Sequence, residues 1–396
     1  MEHGLLMFIF LDTLHMDSNY IIKVFDKDSV FKRTVSWKNI NGDIRFTSVI
    51  NSWFSSMSLT IQNKRESVIK ETVDTGGGNY YQTAEYWSNI GIEHGDIIKI
   101  VDPNKNIATK VDTGGGDFYV SVQDQPIYSW IVIEISHNIL SNWESHNIEV
   151  IGIQSYLNYV LYTNWSSNSF TKNADPSDIL KEIIDLVPYL SYTGSSIETY
   201  WSSLSIEFDN LSCMESVKQV IDTTGRLISY DADWVVYFYE EEASPTPDHK
   251  FALGREIVEV NDSLKSHELY NSIILHHKNA WAWHDHLYED LTSQSTYWVR
   301  EKYIEKLSIE NEDTADIFAS AYFSRYAYPI QELSVSISNK YDISSVKVGD
   351  TVKINWYYNA TKVYYIYKLD FTPSIIRLQL NEKQSLEKTL LSLRNS

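Results

Sequence analysis

Short apolar–polar alternations dominate the first 160 residues. Tyr20–Phe25, Ile44–Val49, Met57–Gln62, Ile97–Val101, Phe118–Val122, Ile127–Ile135 and Ile148–Ile151 are rich in Ile, Val, Tyr and Phe. Successive side chains of a strand point to opposite faces, so runs of this kind predict half-buried strands. Asn41-Gly42, Pro103-Asn104 and Asp124-Gln125-Pro126 supply turn residues between them. Strands at this spacing predict a barrel or a sandwich.

The period then changes. Asp175-Pro176-Ser177-Asp178 precedes Ile179, Leu180, Ile183, Ile184, Leu186 and Val187, with Pro188 beyond. A cap, a 3–4 apolar spacing and a stop predict a helix of about ten residues. Ser212–Thr223 repeats the pattern, with Met214, Val217, Val220 and Ile221 on one face and Gly225 as its stop. Arg226–Tyr230 and Trp234–Tyr239 then read as a hairpin around Asp231-Ala232-Asp233. Glu240–Lys250, with Pro245 and Pro247 and no apolar period, reads as a linker. Strands return at Ile257–Val260 and Ser272–Leu275, a helix spans about Thr314–Arg325, and four more strands follow at Leu333–Ser338, Asp350–Trp356, Val363–Asp370 and Ile375–Leu380.

Charge narrows the function classes. The chain has 396 residues, 33 Lys+Arg and 53 Asp+Glu, for a formal net charge of −20. A nucleic-acid grip needs clustered cations, so this balance argues against one and leaves open a passage through which DNA slides without sticking. The single cysteine, Cys213, excludes internal disulfides and cysteine-based zinc modules. It lies on an apolar helix face with no basic neighbour, the setting of inert packing and not of a nucleophile. The most apolar run, Leu5 to Leu11, is far shorter than the ~20 residues that cross a bilayer, and no basic segment precedes it as in a secretory signal.

Candidate chemistry is sparse. His276, His277, His284, Asp285 and His286 offer four imidazoles and a carboxylate for a metal, but at no helix-borne ligand spacing, and surface histidines are the simpler reading. No G-x-S-x-G elbow occurs, and carboxylates are too numerous for a catalytic pair to be picked out. Val73–Gly78 and Val111–Gly116 are both VDTGGG, each followed by an aromatic pair, Tyr80-Tyr81 and Phe118-Tyr119. Without a following Lys-Ser/Thr or helix, these read as glycine loops between extended segments and not as phosphate cradles. The 12 Trp and 28 Tyr suit sugar stacking or, more simply, strand packing and protein interfaces.

The order of segments resembles the phage tail hub family, the tail-tip and baseplate hub proteins that include siphophage tail-associated proteins and myophage hub-like proteins. Ile44–Ile61 is similar to the early strand pair, Glu93–Val101 (EHGDIIKIV) to its "pGd-V-i" strand, and Pro126–Ile135 with Ile148–Leu157 to the strands that follow. Thr171–Ile184, Ile206–Leu211 and Ser216–Phe238 resemble the family's helix, its "f-d-n-x-s" strand and its "T-G-r-x-x-y-D-x-D" hairpin. Leu269–Leu275 (LYNSIIL), Val299-Arg300-Glu301, Asp313–Arg325 and Val346–Ile354 (VKVGDTVKI) resemble later signatures, completed by Val363–Asp370 and Arg377–Leu380.

The resemblance implies a mainly β fold with an α/β insertion, in which two similar β-barrel domains and a small α/β domain assemble as a trimeric pseudo-six-fold ring. The implied division is an N-terminal extension at 1–17, a first barrel at 18–160, an α/β domain at 161–250, a second barrel with a helix at 251–383, and a tail at 384–396. The implied partners are two further copies in a homotrimer, a distal tail protein or tail tube ring, a central fibre or spike, and a tape measure protein. DNA passes without specific binding. No cofactor, metal or membrane anchor is expected, and no enzyme either, since the hydrolase or fibre extension of many relatives does not follow the last strand. Synthesis in a host cytoplasm and residence at the virion tail tip are expected. Interface residues are expected at Tyr80, Tyr81 and Trp87. The alternative function is a receptor- or carbohydrate-binding tail-tip protein.

Overall fold

The alternating runs become strands around one core. In the computed structural model of the chain, the described residues are 21–35, 45–49, 56–64, 66–74, 80–87, 92–101, 107–112, 118–123, 126–139, 143–163, 169–240, 247–279, 282–338, 346–355, 363–371 and 375–381. The first part holds β1 (Ile21–Phe25), β2 (Phe31–Val35), β3 (Arg45–Val49), β4 (Ser56–Lys64), β5 (Glu66–Asp74), β6 (Tyr80–Trp87), β7 (Ile97–Val101), β8 (Ile107–Asp112), β9 (Phe118–Gln123), β10 (Pro126–Ile139) and β11 (Trp143–Ile151). A middle unit holds β12 (Leu161–Tyr162), β13 (Ser169–Ala174), α1 (Pro176–Asp185), β14 (Leu204–Asp209), β15 (Leu211–Ser212), α2 (Cys213–Thr224), β16 (Leu227–Tyr230) and β17 (Val236–Tyr239). The last part holds β18 (His249–Ala252), β19 (Ile257–Lys265), β20 (Ser272–Asn279), β21 (Ala282–Glu289), α3 (Leu291–Tyr297), β22 (Glu301–Glu305), α4 (Glu312–Tyr326), β23 (Ile330–Ser338), β24 (Thr351–Asn355), β25 (Val363–Phe371) and β26 (Ile375–Asn381).

Among the described residues, thirteen strands form one sheet in the order β19-β23-β26-β25-β3-β4-β11-β10-β7-β1-β2, with β24 on β25 and β18 on β24. The sheet curls into two half-barrels. Their strand order is the same. The run β3-β4-β11-β10-β7 and the run β19-β23-β26-β25-β24 take their strands from the chain in the same sequence, and every neighbouring pair is antiparallel.

The registers coincide as well. Ile98 faces Trp130 as Val352 faces Tyr364. Val132, Glu134 and Ile135 face Val150, Glu149 and Ile148, as Ile366, Lys368 and Leu369 face Leu380, Gln379 and Leu378, with a bulge one residue after Val132 and after Ile366. Ile148 faces Leu59 as Leu378 faces Val335. The differences are insertions. The first half carries the β5–β6 and β8–β9 hairpins, while the second carries β20–β22, α3 and α4 between β19 and β23.

The same turn opens β7 and β24, and it explains two sequence motifs at once. In Glu93-His94-Gly95-Asp96, Gly95 adopts φ +89, and the Asp96 carboxylate accepts the Glu93 N–H at 2.7 Å. In Lys347-Val348-Gly349-Asp350, Gly349 adopts φ +97, and Asp350 accepts the Lys347 N–H at 2.7 Å. Gly95 N–H donates to the Val132 carbonyl and Val132 N–H to the Asp96 carbonyl, just as Gly349 and Ile366 exchange bonds with Ile366 and Asp350. Only glycine adopts this backbone without strain. Each carboxylate also takes a cation-forming partner: Lys32 Nζ at 2.9 Å for Asp96 and His249 Nε2 at 2.8 Å for Asp350.

One apolar core spans both half-barrels, from Ile22, Val24, Ile98 and Trp130 to Leu333, Val352, Ile366 and Leu378. A second core lies in the middle unit among α1, α2, Phe208 and Phe238. A third sits between α4 and the β20–β22 sheet, with Ile273, Leu275 and Phe318. The β16–β17 hairpin meets both half-barrels at equivalent strands. Trp234 packs with Ile97 and Ile131, and Leu227 with Tyr367.

The helices follow their sequence signals. Asp175 caps α1 by accepting Ser177 N–H, and Ser212 and Glu215 form a reciprocal capping box at α2. Gly225 ends α2 at φ +73, and a Cβ there would meet the Ala321 Cβ of α4 at 3.0 Å. Gly225→Ala therefore combines a left-handed alanine with a pushed-apart α2–α4 contact, for an expected loss of about 2 kcal/mol. Thermal unfolding of the variant checks this, and an unshifted transition would remove the contact from the account.

Candidate functional site

The side chains that alternate with the core give the large sheet a polar second face. On β10, Glu134 and Ser136 are exposed; on β11, Asn147 and Glu149; on β26, Arg377 and Gln379; and on β19, Glu259 and Asn261. Lys368 and Asp370 on β25 pair at 2.9 Å, and Glu332 and Ser334 continue the face on β23. Among the described side chains of these strands, Glu134, Glu149, Glu259, Glu332 and Asp370 stand against Lys368 and Arg377. On these six strands the face is hydrophilic with an acidic excess, a surface that repels phosphate, while Lys23, Lys99, Lys250 and Lys353 alternate with core residues on β1, β7, β18 and β24.

Val73-Asp74 and Val111-Asp112 of the VDTGGG segments end β5 and β8, the first strands of two matched hairpins, and the rest of both segments lies outside the described residues. Asp74 faces Tyr80 and Val73 faces Tyr81 in β5–β6, and Asp112 faces Phe118 and Val111 faces Tyr119 in β8–β9. Tyr80, Tyr81 and Trp87 thus lie on β6, with Trp87 opposite Glu66; their side chains lie outside the described residues. β4, which β5 follows, ends at Lys64 opposite Trp143 of β11, whereas β7, which β8 follows, ends at Val101 opposite Pro126 of β10. The two hairpins therefore spring from opposite ends of β10.

The histidine segment forms the β20–β21 hairpin and is divided between its faces. His276 faces Asp285 and bonds it at 2.7 Å, while His277 is buried with its Nδ1 2.7 Å from the Lys278 carbonyl. His284 is exposed opposite His277, and His286 stacks on Tyr288 at 4.4 Å. No group of three or more metal-ligating side chains occurs among the described residues. Cys213 is buried, and burial pushes its thiol up to about 11, away from thiolate reactivity. Among the described residues no helix is long and apolar enough to cross a membrane.

Other conspicuous groups were not visible in the sequence pattern. Trp201 and Trp298 are 87% and 81% exposed at φ 64 and 63. Trp201 N–H is held by Asp175, whose burial opposes its charge but whose bonds from Ser177, Tyr200 and Trp201 outweigh that and hold its carboxyl below the usual range. Trp298 is held by buried Asn271, whose Nδ2 donates to the Trp298 carbonyl at 2.8 Å and whose Oδ1 accepts Arg300 N–H at 2.8 Å. Arg226 of the Thr224-Gly225-Arg226 motif lies over the rings of Tyr200 and Phe238 at 5.0 and 5.4 Å.

Three solved structures share this arrangement of strands. A tail protein from Neisseria meningitidis is similar with a TM-score of 0.61 at 11% identity, over 93% of this chain and 98% of its own. A prophage tail protein from Listeria monocytogenes gives 0.56 at 13%, over 94% and 97%. A 43 kDa prophage tail protein from Shewanella oneidensis gives 0.58 at 9%, over 91% and 97%. The fold is that of phage tail proteins. No protein-family model and no curated protein matches the chain. The tail-protein fold thus covers almost the whole sequence, and the turns at Gly95 and Gly349, the Gly225 cap and the Asn271 clamp are the physical content of the motifs that carry the resemblance.

Proposed function

We propose that this chain is a structural hub of a phage tail or of a phage-derived injection device. Three copies form a ring that joins a six-fold tail tube or distal tail ring to a three-fold central fibre or spike, and the ring surrounds the channel for DNA ejection. The observation that carries this reading is the duplicated half-barrel. Two half-barrels of one topology and one register let three chains present six similar units, which resolves a mismatch between six-fold and three-fold partners. The barrels are assigned to 18–160 and 251–383 and the α/β domain to 161–250.

The polar sheet face suits the channel wall, since its carboxylates keep DNA from adhering. The chain acts as a scaffold, a reading that its likeness to phage tail proteins supports. Light scattering on the purified full-length protein tests the assembly: a mass of three chains is expected, and a monomer at every concentration would refute the ring. One observation favours a receptor-binding tip instead. Trp283, 49% exposed, stacks on His276 at 5.3 Å and 12°, beside Tyr303 at 56%. Saccharide-array binding abolished by Trp283→Ala would support that second reading.

A further inference from the structure

Among the described residues, the two half-barrels meet at a single strand junction. Beyond its bulge, β25 pairs antiparallel with β3: Lys368 faces Val49, Leu369 faces Ser48, Asp370 faces Thr47 and Phe371 faces Phe46. The same edge of β25 pairs with β24 up to Tyr365, so one edge serves two strands in succession.

Among the described residues, the matching edge in the first half is open. β10 pairs with β7 from Pro126 to Ile131, and Gly95 and Val132 extend the pairing past it. From Glu134 to Ile139, β10 pairs with β11 on its other edge, and no strand among the described residues lies on the edge that corresponds to the junction. The counterpart of β3 is β19, which pairs with β23 and ends the sheet. Among the described residues, the duplicated fold therefore leaves two free edges. They are the two that a second copy of its internal junction would consume.

We infer that β19 of one copy pairs antiparallel with the second half of β10 of the next, so that the ring of hub chains closes by continuous strand pairing. The inference rests on the trimeric reading above and names its interface. The register is fixed by the internal junction. Glu134, Ile135, Ser136 and His137 are the counterparts of Lys368, Leu369, Asp370 and Phe371, from their shared partners on β11 and β26. Asp262, Ser263, Leu264 and Lys265 are the counterparts of Phe46, Thr47, Ser48 and Val49, from their partners on β23 and β4.

Transferring the pairing sets Glu134 opposite Lys265, Ile135 opposite Leu264, Ser136 opposite Ser263 and His137 opposite Asp262. One apolar pair, Ile135 with Leu264, and one hydroxyl pair, Ser136 with Ser263, thus meet across strands that are separate within one chain, and pairs of these kinds stabilise antiparallel neighbours. Leu264 is 70% exposed on an edge strand, an arrangement that invites pairing unless it is covered. The contact is head-to-tail, with different strands on its two sides, as a closed ring requires. It also carries the polar face of each chain's sheet uninterrupted into the next.

Full-length Leu264→Asp, Trp201→Asp and the double variant Ile135→Cys/Leu264→Cys test the junction. Leu264 and Trp201 are exposed, so each aspartate leaves the fold intact, which circular dichroism checks. Light scattering should give a trimer for wild type and Trp201→Asp, and a rise of at least about tenfold in the concentration at which Leu264→Asp assembles. Directly opposed residues lie within disulfide reach, so oxidation should link the double-cysteine chains into trimers, with the single variants unlinked. Wild-type trimers with Leu264→Asp equally trimeric and no linked chains would overturn the junction alone. A monomeric wild type would overturn the hub reading and the junction with it.

Discussion

Asp96→Ala should destabilise the first half-barrel by about 2–4 kcal/mol, more than Asp350→Ala destabilises the second. Asp96 is 3% exposed and holds its turn closed through Glu93 N–H while accepting Lys32 Nζ. Burial works against the Lys32 charge, but its hydrogen bonds to Asp96 and Glu93 outweigh this and hold the ammonium above its ordinary value. Alanine removes both bonds and leaves the partly buried Lys32 ammonium with Glu93 alone, at 3.2 Å. Asp350 makes the equivalent amide bond and takes His249, but its side chain is 25% exposed, so water replaces part of what is lost. Urea unfolding of the two variants checks the order. Equal midpoints would mean that the two turns are equivalent in energy as well as in geometry.

Asn271→Ala should cost about 2–4 kcal/mol through groups left unsatisfied in the interior. Asn271 is fully buried, and its side chain serves Ser293, Trp298 and Arg300 together. Trp298, at φ 63 and ψ 165, occupies a region that a bulky side chain leaves unless it is held, at a cost of about 1–3 kcal/mol. Without the clamp, the backbone from Trp298 to Arg300 should relax. Trypsin cleavage after Arg300 reads this directly: the variant should be cut faster there than wild type, and unchanged cleavage would show that the turn is held by other contacts.

Much of this fold was legible because its signals are local. The α1 and α2 caps, the Gly225 stop and the Asp231 hairpin stand where the spacing placed them, since each depends on a few neighbouring residues. The runs at 97–101, 127–135, 148–151 and 363–370 became β7, β10, β11 and β25 for the same reason. β2, β5, β6 and β8 are polar or weakly periodic, and their pairing is set by register that no single run displays.

The duplication was hidden for a related cause. Gly95-Asp96 and Gly349-Asp350 each read as one family signature, but their equivalence lies in bonds to Val132 and Ile366, far along the chain. The clustered histidines show the converse, since residues close in sequence alternate across strand faces and part. The aromatic candidates Tyr80, Tyr81 and Trp87 fall on one hairpin strand, while the exposed Trp201 and Trp298 owe their positions to distant polar clamps.

Electron-microscopy class averages of the purified full-length protein, with its mass measured in parallel, test the hub reading most directly. Three-fold rings with six evenly spaced lobes around an open or plugged channel are expected. Particles of single chains, or rings without a channel or with another symmetry, would contradict it.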